Sequence, residues 1–328
     1  MISNDEPLVS VVTPVYNGEA YLRDCIETVL SQTYTHWDYT IVNNCSTDRT
    51  LEIAHQYADR DGRIRIHNND KFVRIIANYN IAFRQISSQS KYCKVVAADD
   101  QLFPECLEKM VSLAEENPNV ALVGAYGLQG AGVVWNGLPY PSLVVPGREL
   151  CRLRLLGGPY VFGTPTSVLY RAQFLRDRVP FYNESNLHSD SEVCFELLEN
   201  ADFGFVHQVL TIQGVREDSL TVQSKTLQTY LPWILYELVT YGPKYLTQTE
   251  LKDRSRHHLK DYYRYLGEQM YKRRGRDFWS FHKGKLLGCG HSLSRLRLTA
   301  NAICYALDIL MNPKKTAQEL ISNRRPRD

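Results

Sequence analysis

Two strand-like runs with a helical pattern between them, all within the first fifty residues, constrain this chain more than any other feature. Residues 9–18, VSVVTPVYNG, read as a buried strand interrupted at Pro14, with Asn17-Gly18 as the turn that follows. Apolar residues then recur at Tyr21, Leu22, Cys25, Ile26, Val29 and Leu30, the spacing of one helical face. Residues 37–42, WDYTIV, form a second β-rich run, and the polar stretch from Asn43 to Asp48 opens a helix predicted over 49–58. This βαβα order predicts a parallel sheet whose functional loops lie at the carboxyl ends of its strands.

A carboxylate pair, Asp99-Asp100, comes directly after the apolar run YCKVVAA of residues 92–98. Adjacent acids at a strand end repel each other unless a cation, a hydrogen-bonding ligand or water offsets the charge. A divalent cation that shares its coordination between carboxylate and phosphate oxygens is the sharpest such partner. A solvated turn ahead of QLFP is the plain alternative.

Taken in order, SVVTPVYNG, SQTYTHWDYTIVNNCSTDRTLEI and VVAADDQLFPECLEKMV resemble the inverting nucleotide-sugar glycosyltransferases of family 2, over roughly residues 7 to 221. The resemblance implies an α/β chain with the GT-A fold, a Rossmann-like nucleotide-binding mixed sheet flanked by helices. The catalytic domain is expected over 1–224, with the nucleotide-sugar side over about 7–103 and the acceptor side over about 104–224. It also implies that the strand end at Thr13, Pro14 and Asn17 supplies backbone groups to a base, with Tyr16 stacked on it. A half-buried aromatic at a strand end is the other reading of Tyr16.

Two departures from the family pattern matter. Where two acids are usual after the second strand, this chain has Asn43 and Asn44. Asn44 stands where the family's acid accepts a hydrogen bond from the imide of uracil. An amide can serve there, its oxygen accepting from the imide and its nitrogen donating to the neighbouring carbonyl, so UDP or dTDP donors are expected. An Asn-rich turn capping the next helix accounts for the same residues. The earlier acid of the metal motif is Ala97 here, which leaves Asp99 for the ribose hydroxyls and Asp100 for Mn²⁺ or Mg²⁺ bridging the two phosphates.

The resemblance places the general base at Asp190, at the start of a helix predicted over 191–199, with Glu192 in reserve. Asp190 also reads as an N-terminal acid favoured by the helix dipole, and His188 reads as structural. The Gly- and Pro-rich residues 157–167 are read as lining the donor–acceptor junction, or else as a simple loop. Arg74, Arg216 and Lys71 are candidate phosphate contacts, with solvated cations as the alternative.

Composition adds boundaries. A chain of 328 residues with 44% apolar content can bury one large core and a smaller appendage. The eight cysteines include no CxxC pair, which suits reduced thiols in a cytoplasm rather than a zinc site or a disulfide frame. No basic-then-apolar leader and no bilayer-length apolar run stand in the sequence.

Formal charge divides unevenly, −9 over residues 1–224 and +11 over 225–328. The basic part is predicted to be mainly helical, over 230–241, 249–273 and 293–311, with many interleaved aromatics. Such helices suit an anionic membrane surface, which would bring the enzyme to a lipid-linked glycan acceptor. A face packed within the chain, or one forming a homodimer, is the alternative. Nucleic acid is not an expected partner, because no recognised module is present and the rest of the chain is acidic.

The expectation is therefore a metal-dependent inverting glycosyltransferase, moving a sugar from a nucleotide-diphosphate donor to a hydroxyl of a bacterial surface polysaccharide. Two rivals come from other classes. A dinucleotide oxidoreductase lacks its glycine-rich fingerprint here, since Gly18 is the one glycine in the turn after the first strand. A non-catalytic nucleotide-binding or scaffold protein of the same fold is suggested by Asn43, Asn44 and Ala97 in place of acids.

Overall fold

The computed structural model describes residues 6–214, 227–272 and 274–312. The chain divides into two units, Met1–Glu217 and Asp218–Asp328.

In the first unit, β1 (Val9–Val15) is buried along its whole length and runs straight through Pro14, where the sequence pattern predicts a break. The reason lies in which neighbour each residue faces. The Val12 carbonyl accepts from the N–H of Val96 on one side, and the Val15 carbonyl accepts from the N–H of Asn44 on the other. Pro14 faces the same side as Val12, where pairing with β4 (Tyr92–Val95) ends at Val12 and Val95. Its missing N–H thus ends the ladder on that side only, while pairing on the other side runs on through Val15.

Between β1 and β4 come α1 (Leu22–Leu30), β2 (Trp37–Asn43), α2 (Thr50–Ala58), β3 (Ile64–Asn68) and α3 (Ile75–Phe83). Leu22, Cys25, Ile26 and Val29 of α1 are buried, as their spacing predicts. After β4 follow β5 (Gln101–Leu102), α4 (Cys106–Glu116), β6 (Val120–Gln129), β7 (Gly132–Val134), β8 (Val144–Pro146) and α5 (Gly147–Leu155). The unit continues with β9 (Leu169–Arg171), α6 (Ala172–Asp177), α7 (Ser189–Leu197) and β10 (Asp202–Gln213).

The strands form one mixed sheet in the order β3-β2-β1-β4-β9-β6-β10-β5, with β7 beside β6 and β8 beside β10. The first four are parallel, as predicted. β9 is antiparallel to both β4 and β6, and β10 is parallel to β6. Two reversals restore direction, so β1, β2, β3, β4, β6 and β10 all point the same way. Their carboxyl ends bring Tyr16, Asn44, the Asp99-Asp100 turn and Gly214 to one edge, where open α/β sheets bind ligands. Beneath that edge lies a core that includes Val11, Ile26, Ile41, Met110 and Val123. Lys94 is fully buried within it, its Nζ 3.4 Å from the Met110 sulfur, and burial lowers its pKa.

The second unit consists of helices among the described residues: α8 (Tyr230–Thr240), α9 (Gly242–Tyr245), α10 (Gln248–Tyr271), α11 (Arg276–Gly288) and α12 (Arg295–Met311). Three of these match the predicted segments within two residues. α11 carries only a sparse apolar pattern and two glycines, so its sequence gives little helical signal, yet Phe278, His282 and Leu286 bury one face of it. Thr247 and Glu250 form a reciprocal capping box that starts α10. The core here comprises Leu235, Leu259, Tyr262, Leu266, Phe278 and Leu286. Among the described residues no helix is long and apolar enough to cross a membrane, and no disulfide joins the cysteines.

Candidate active site

The turn after β4 holds the paired acids. The Asp100 N–H closes it on the Ala97 carbonyl at 2.9 Å, and the Ala97 N–H donates to Thr166 Oγ1 at 3.0 Å. Asp100 is buried, with its Oδ1 accepting from the Gly214 N–H at 2.8 Å. Burial pushes its carboxyl up to about 7, against hydrogen bonds from Thr166 and Gly214, while the charge of Asp99 adds to the rise. Gly214 must lack a side chain, since a Cβ there would lie 2.2 Å from the Asp99 carbonyl oxygen.

α7 starts two residues earlier than predicted, which places Asp190 inside its first turn. Its Oδ1 accepts from the Ser191 N–H at 2.9 Å. Burial pushes the carboxyl up to about 6, with the backbone bonds opposing the rise. A carboxylate in that range is suited to accept a proton near neutral pH. Glu192 has a different task. It accepts from the amides of Asn186 at 2.7 Å and Asn183 at 3.3 Å, which ties the preceding loop to the helix. Asn80 of α3 holds the same loop from the other side, accepting from the Tyr182 N–H at 2.8 Å and donating to the Tyr182 carbonyl at 2.9 Å. From the Gly- and Pro-rich stretch, the Tyr160 hydroxyl reaches the Gly163 carbonyl and the Ser191 hydroxyl. Burial, and next the charge of Asp190, hold that phenol well above its ordinary value.

Tyr79 of α3 lies within the field of both groups of acids. Its phenol is raised first by burial and then by the charges of Asp100, Asp99 and Asp190, in that order. Three carboxylates from two segments about ninety residues apart in the chain therefore act on one hydroxyl. The sequence pattern does not single out Tyr79, yet a signal was present. Asn78 and Asn80, on either side of it, are poor helix formers in an otherwise apolar helix, IIANYNIAF, and both are buried.

The remaining predicted residues spread along the ends of β1 and β2. Thr13 lies in the core, its hydroxyl 2.8 Å from that of Tyr39, and its backbone is paired in β1. Pro14 follows it in the strand. Tyr16 is 44% exposed and makes an edge-to-face pair with Phe72, centroids 4.8 Å apart. Asn17 takes a left-handed conformation, φ 48°, and its Oδ1 accepts from the Thr47 N–H at 2.8 Å, joining the two loops. Asn44 is buried, and its amide is engaged with Val73 and Asn69 rather than open to a base. Lys71 and Arg74 are exposed on either side of Phe72 and Val73. Arg216 lies outside the described residues.

The donor set suits a hard divalent cation. Asp99 and Asp100 offer adjacent carboxylate oxygens, and Asp100 is buried with its Oδ1 facing the Gly214 N–H. Among the described residues no group of three or more His, Cys, Asp or Glu side chains could hold a metal by itself. A cation here would thus take most of its ligands from phosphate and water, as Mg²⁺ commonly does.

The model of the family described as "Glycosyl transferase family 2" matches residues 10–186, more than half of the chain. The chain belongs to glycosyl transferase family 2. Among family members it is similar to the glycosyltransferase EpsE of Bacillus subtilis (strain 168), 33% identical over 156 residues, which are 45% of this chain and 55% of EpsE. It is also similar to the teichuronic acid biosynthesis glycosyltransferase TuaG of the same organism, 35% identical over 115 residues, 35% of this chain and 45% of TuaG. The chain thus spans about half the length of these relatives. Solved structures agree on the GT-A fold. S. aureus TarS 1-349 superposes with a TM-score of 0.62 at 15% identity, over 94% of this chain and 91% of that one. The mannosyltransferase PcManGT from Pyrobaculum calidifontis, in complex with GDP-Man and Mn²⁺, does so with 0.56 at 12% identity, over 94% and 88%.

Proposed function

We propose that this chain is a metal-dependent inverting glycosyltransferase that uses a nucleoside-diphosphate sugar. The observation that carries the reading is the buried Asp100 beside Asp99 at the carboxyl ends of the parallel strands, its Oδ1 held by the Gly214 N–H at 2.8 Å. A hydroxyl of the acceptor attacks the anomeric carbon while the bond from that carbon to the diphosphate oxygen breaks. Asp190 takes the acceptor proton, and the diphosphate leaves with the bonding electrons. The dipole at the α7 N-terminus and the Ser191 N–H favour the ionised form of Asp190 before it accepts the proton. Asp99 receives the ribose hydroxyls, and Tyr160 and the Gly163 turn line the acceptor side. A divalent cation held at Asp100 supplies charge neutralisation for the departing diphosphate.

UDP and dTDP sugars are the first donors to test, a choice supported by the TarS structure solved with UDP-GlcNAc, which is 17% identical to this chain. The acceptor is a growing bacterial surface glycan, in keeping with TuaG's name. The second unit works peripherally on an anionic membrane at the cytoplasmic face. That placement is supported by its net positive charge and by Leu296, Ile303, Leu307 and Leu310, which are exposed along α12 at helical spacing.

Release of nucleoside diphosphate from a panel of nucleotide sugars tests the proposal, with Mn²⁺, with Mg²⁺ and with chelator. Turnover of one donor that stops with chelator and falls by about 10³-fold or more in Asp190→Asn is expected. Turnover that survives Asp190→Asn unchanged would remove the assigned base.

A further inference from the structure

Asn44 sits at the carboxyl end of β2 with only 3% of its surface exposed. Its Oδ1 accepts twice, from the Val73 N–H at 3.0 Å and from the Asn69 amide at 3.0 Å, so both lone pairs are taken. Its Nδ2 donates to the Val73 carbonyl at 2.9 Å. One residue of the chain, Val73, thus presents to this amide an N–H and a C=O like those that a pyrimidine imide edge would present. The surrounding backbone closes the arrangement, with the Asn69 N–H donating to the Asn43 carbonyl at 3.0 Å and the Cys45 thiol to the Asn69 carbonyl at 3.3 Å. An imide could reach Asn44 only by displacing bonds that hold residues 69–73 in place.

The residue carried by this clamp is Phe72. It is 57% exposed, yet it rests edge-on against Tyr16, which is 44% exposed. Two large apolar surfaces left in water at a strand end are not accounted for by core packing. Their rings meet edge to face at 63°, with part of each surface still open to water.

We propose that Asn44 is a positioning residue, not a base reader: it fixes Val73 so that Phe72 leans on Tyr16, and the two rings receive the base by stacking, whichever base it is. Stacking tolerates sequence because every base has a π face. Discrimination between donors then rests on the sugar and the acceptor side. The inference depends on the donor site assigned under Proposed function.

Calorimetric titration of UDP and of GDP with Mn²⁺ into wild type, Phe72→Leu, Phe72→Trp and Asn44→Ala tests it. Phe72→Leu should weaken both nucleotides by about 10-fold or more, while Phe72→Trp should retain binding and lose tryptophan fluorescence as the base stacks. Asn44→Ala should weaken both alike and leave the ratio of UDP to GDP affinity unchanged. A changed ratio in Asn44→Ala, or wild-type affinity in Phe72→Leu, would overturn the inference and leave the donor site standing. Phe72 is exposed, so its variants keep the test decisive if Asn44→Ala fails to fold. Wild type that binds neither nucleotide would overturn the donor-site assignment, and this inference with it.

Discussion

The backbone N–H of Gly214 donates to Asp100 Oδ1 at 2.8 Å, joining the end of β10 to the turn after β4. The same approach brings the Gly214 Cα close to the Asp99 carbonyl, so that a methyl group there would sit 2.2 Å from the oxygen. Gly214→Ala must push the two segments apart and loosen the contact with Asp100. Metal-dependent nucleotide affinity is expected to fall about tenfold, since hydrogen bonds to charged groups are worth about 1.5–3 kcal/mol. Calorimetric titration of the variant with UDP and Mn²⁺ checks this, and unchanged affinity would refute it.

Asp190 couples activity and stability in opposite directions. As the base it must be ionised, so the rate should rise with pH through about 6 and level off above about 7. Its folded pKa stands above the value of about 3.9 expected in the unfolded chain. The native state therefore holds this proton more tightly, and stability from this group is greatest below about pH 4 and declines as pH rises towards about 6. Asp190→Asn removes the partly buried charge while its oxygen can still accept from Ser191. The variant should be inactive yet more stable at pH 7.5, by at most about 3 kcal/mol, and no more stable near pH 4. Thermal melts at the two pH values, beside a pH–rate profile of the wild type, measure both halves.

Asn80 is expected to matter through position. Its amide satisfies both polar groups of the Tyr182 backbone and reaches Glu184 at 3.1 Å. Asn80→Ala leaves a buried N–H and a buried carbonyl without partners, at a cost of about 2–4 kcal/mol. Because the loop it holds leads into α7, turnover should fall further than nucleotide affinity. Chemical denaturation, with kcat and nucleotide binding measured separately, distinguishes this from general loss of fold.

For the second unit, the exposed stripe of α12 predicts binding to vesicles containing anionic lipid and little binding to neutral ones. Replacing Ile303, Leu307 and Leu310 together by Ser should reduce co-sedimentation by at least about tenfold, since each buried apolar side chain contributes about 1.5–3 kcal/mol. A light-scattering mass of twice the chain that falls to one in the triple variant would instead assign the stripe to self-association.

Much of the first unit can be read from the sequence because its signals are local. The helix face of Leu22, Cys25, Ile26 and Val29, the run 37–42 and the paired acids each declare themselves within a few residues. Pro14 misleads for the opposite reason: whether a proline breaks a strand depends on which neighbour its missing N–H faces, here β4, some eighty residues away, while pairing with β2 continues past it. Asn44 is similar. Its amide could pair with a base or with the chain, and only the placement of Val73 decides between them. Thr166, Gly214 and Tyr79 act on the acids from 20 to 114 residues away in sequence, Gly214 through a backbone N–H that leaves no side-chain signal.

Asp100 and a divalent cation are expected to hold the nucleoside diphosphate together. Thermal stabilisation by UDP, dTDP, GDP and CDP, each with and without Mn²⁺, in wild type and in Asp100→Ala, tests it most directly. Wild type is expected to show a shift that requires Mn²⁺ and is abolished in Asp100→Ala. A shift of equal size without Mn²⁺ or in Asp100→Ala, or no shift with any of the four, would contradict it.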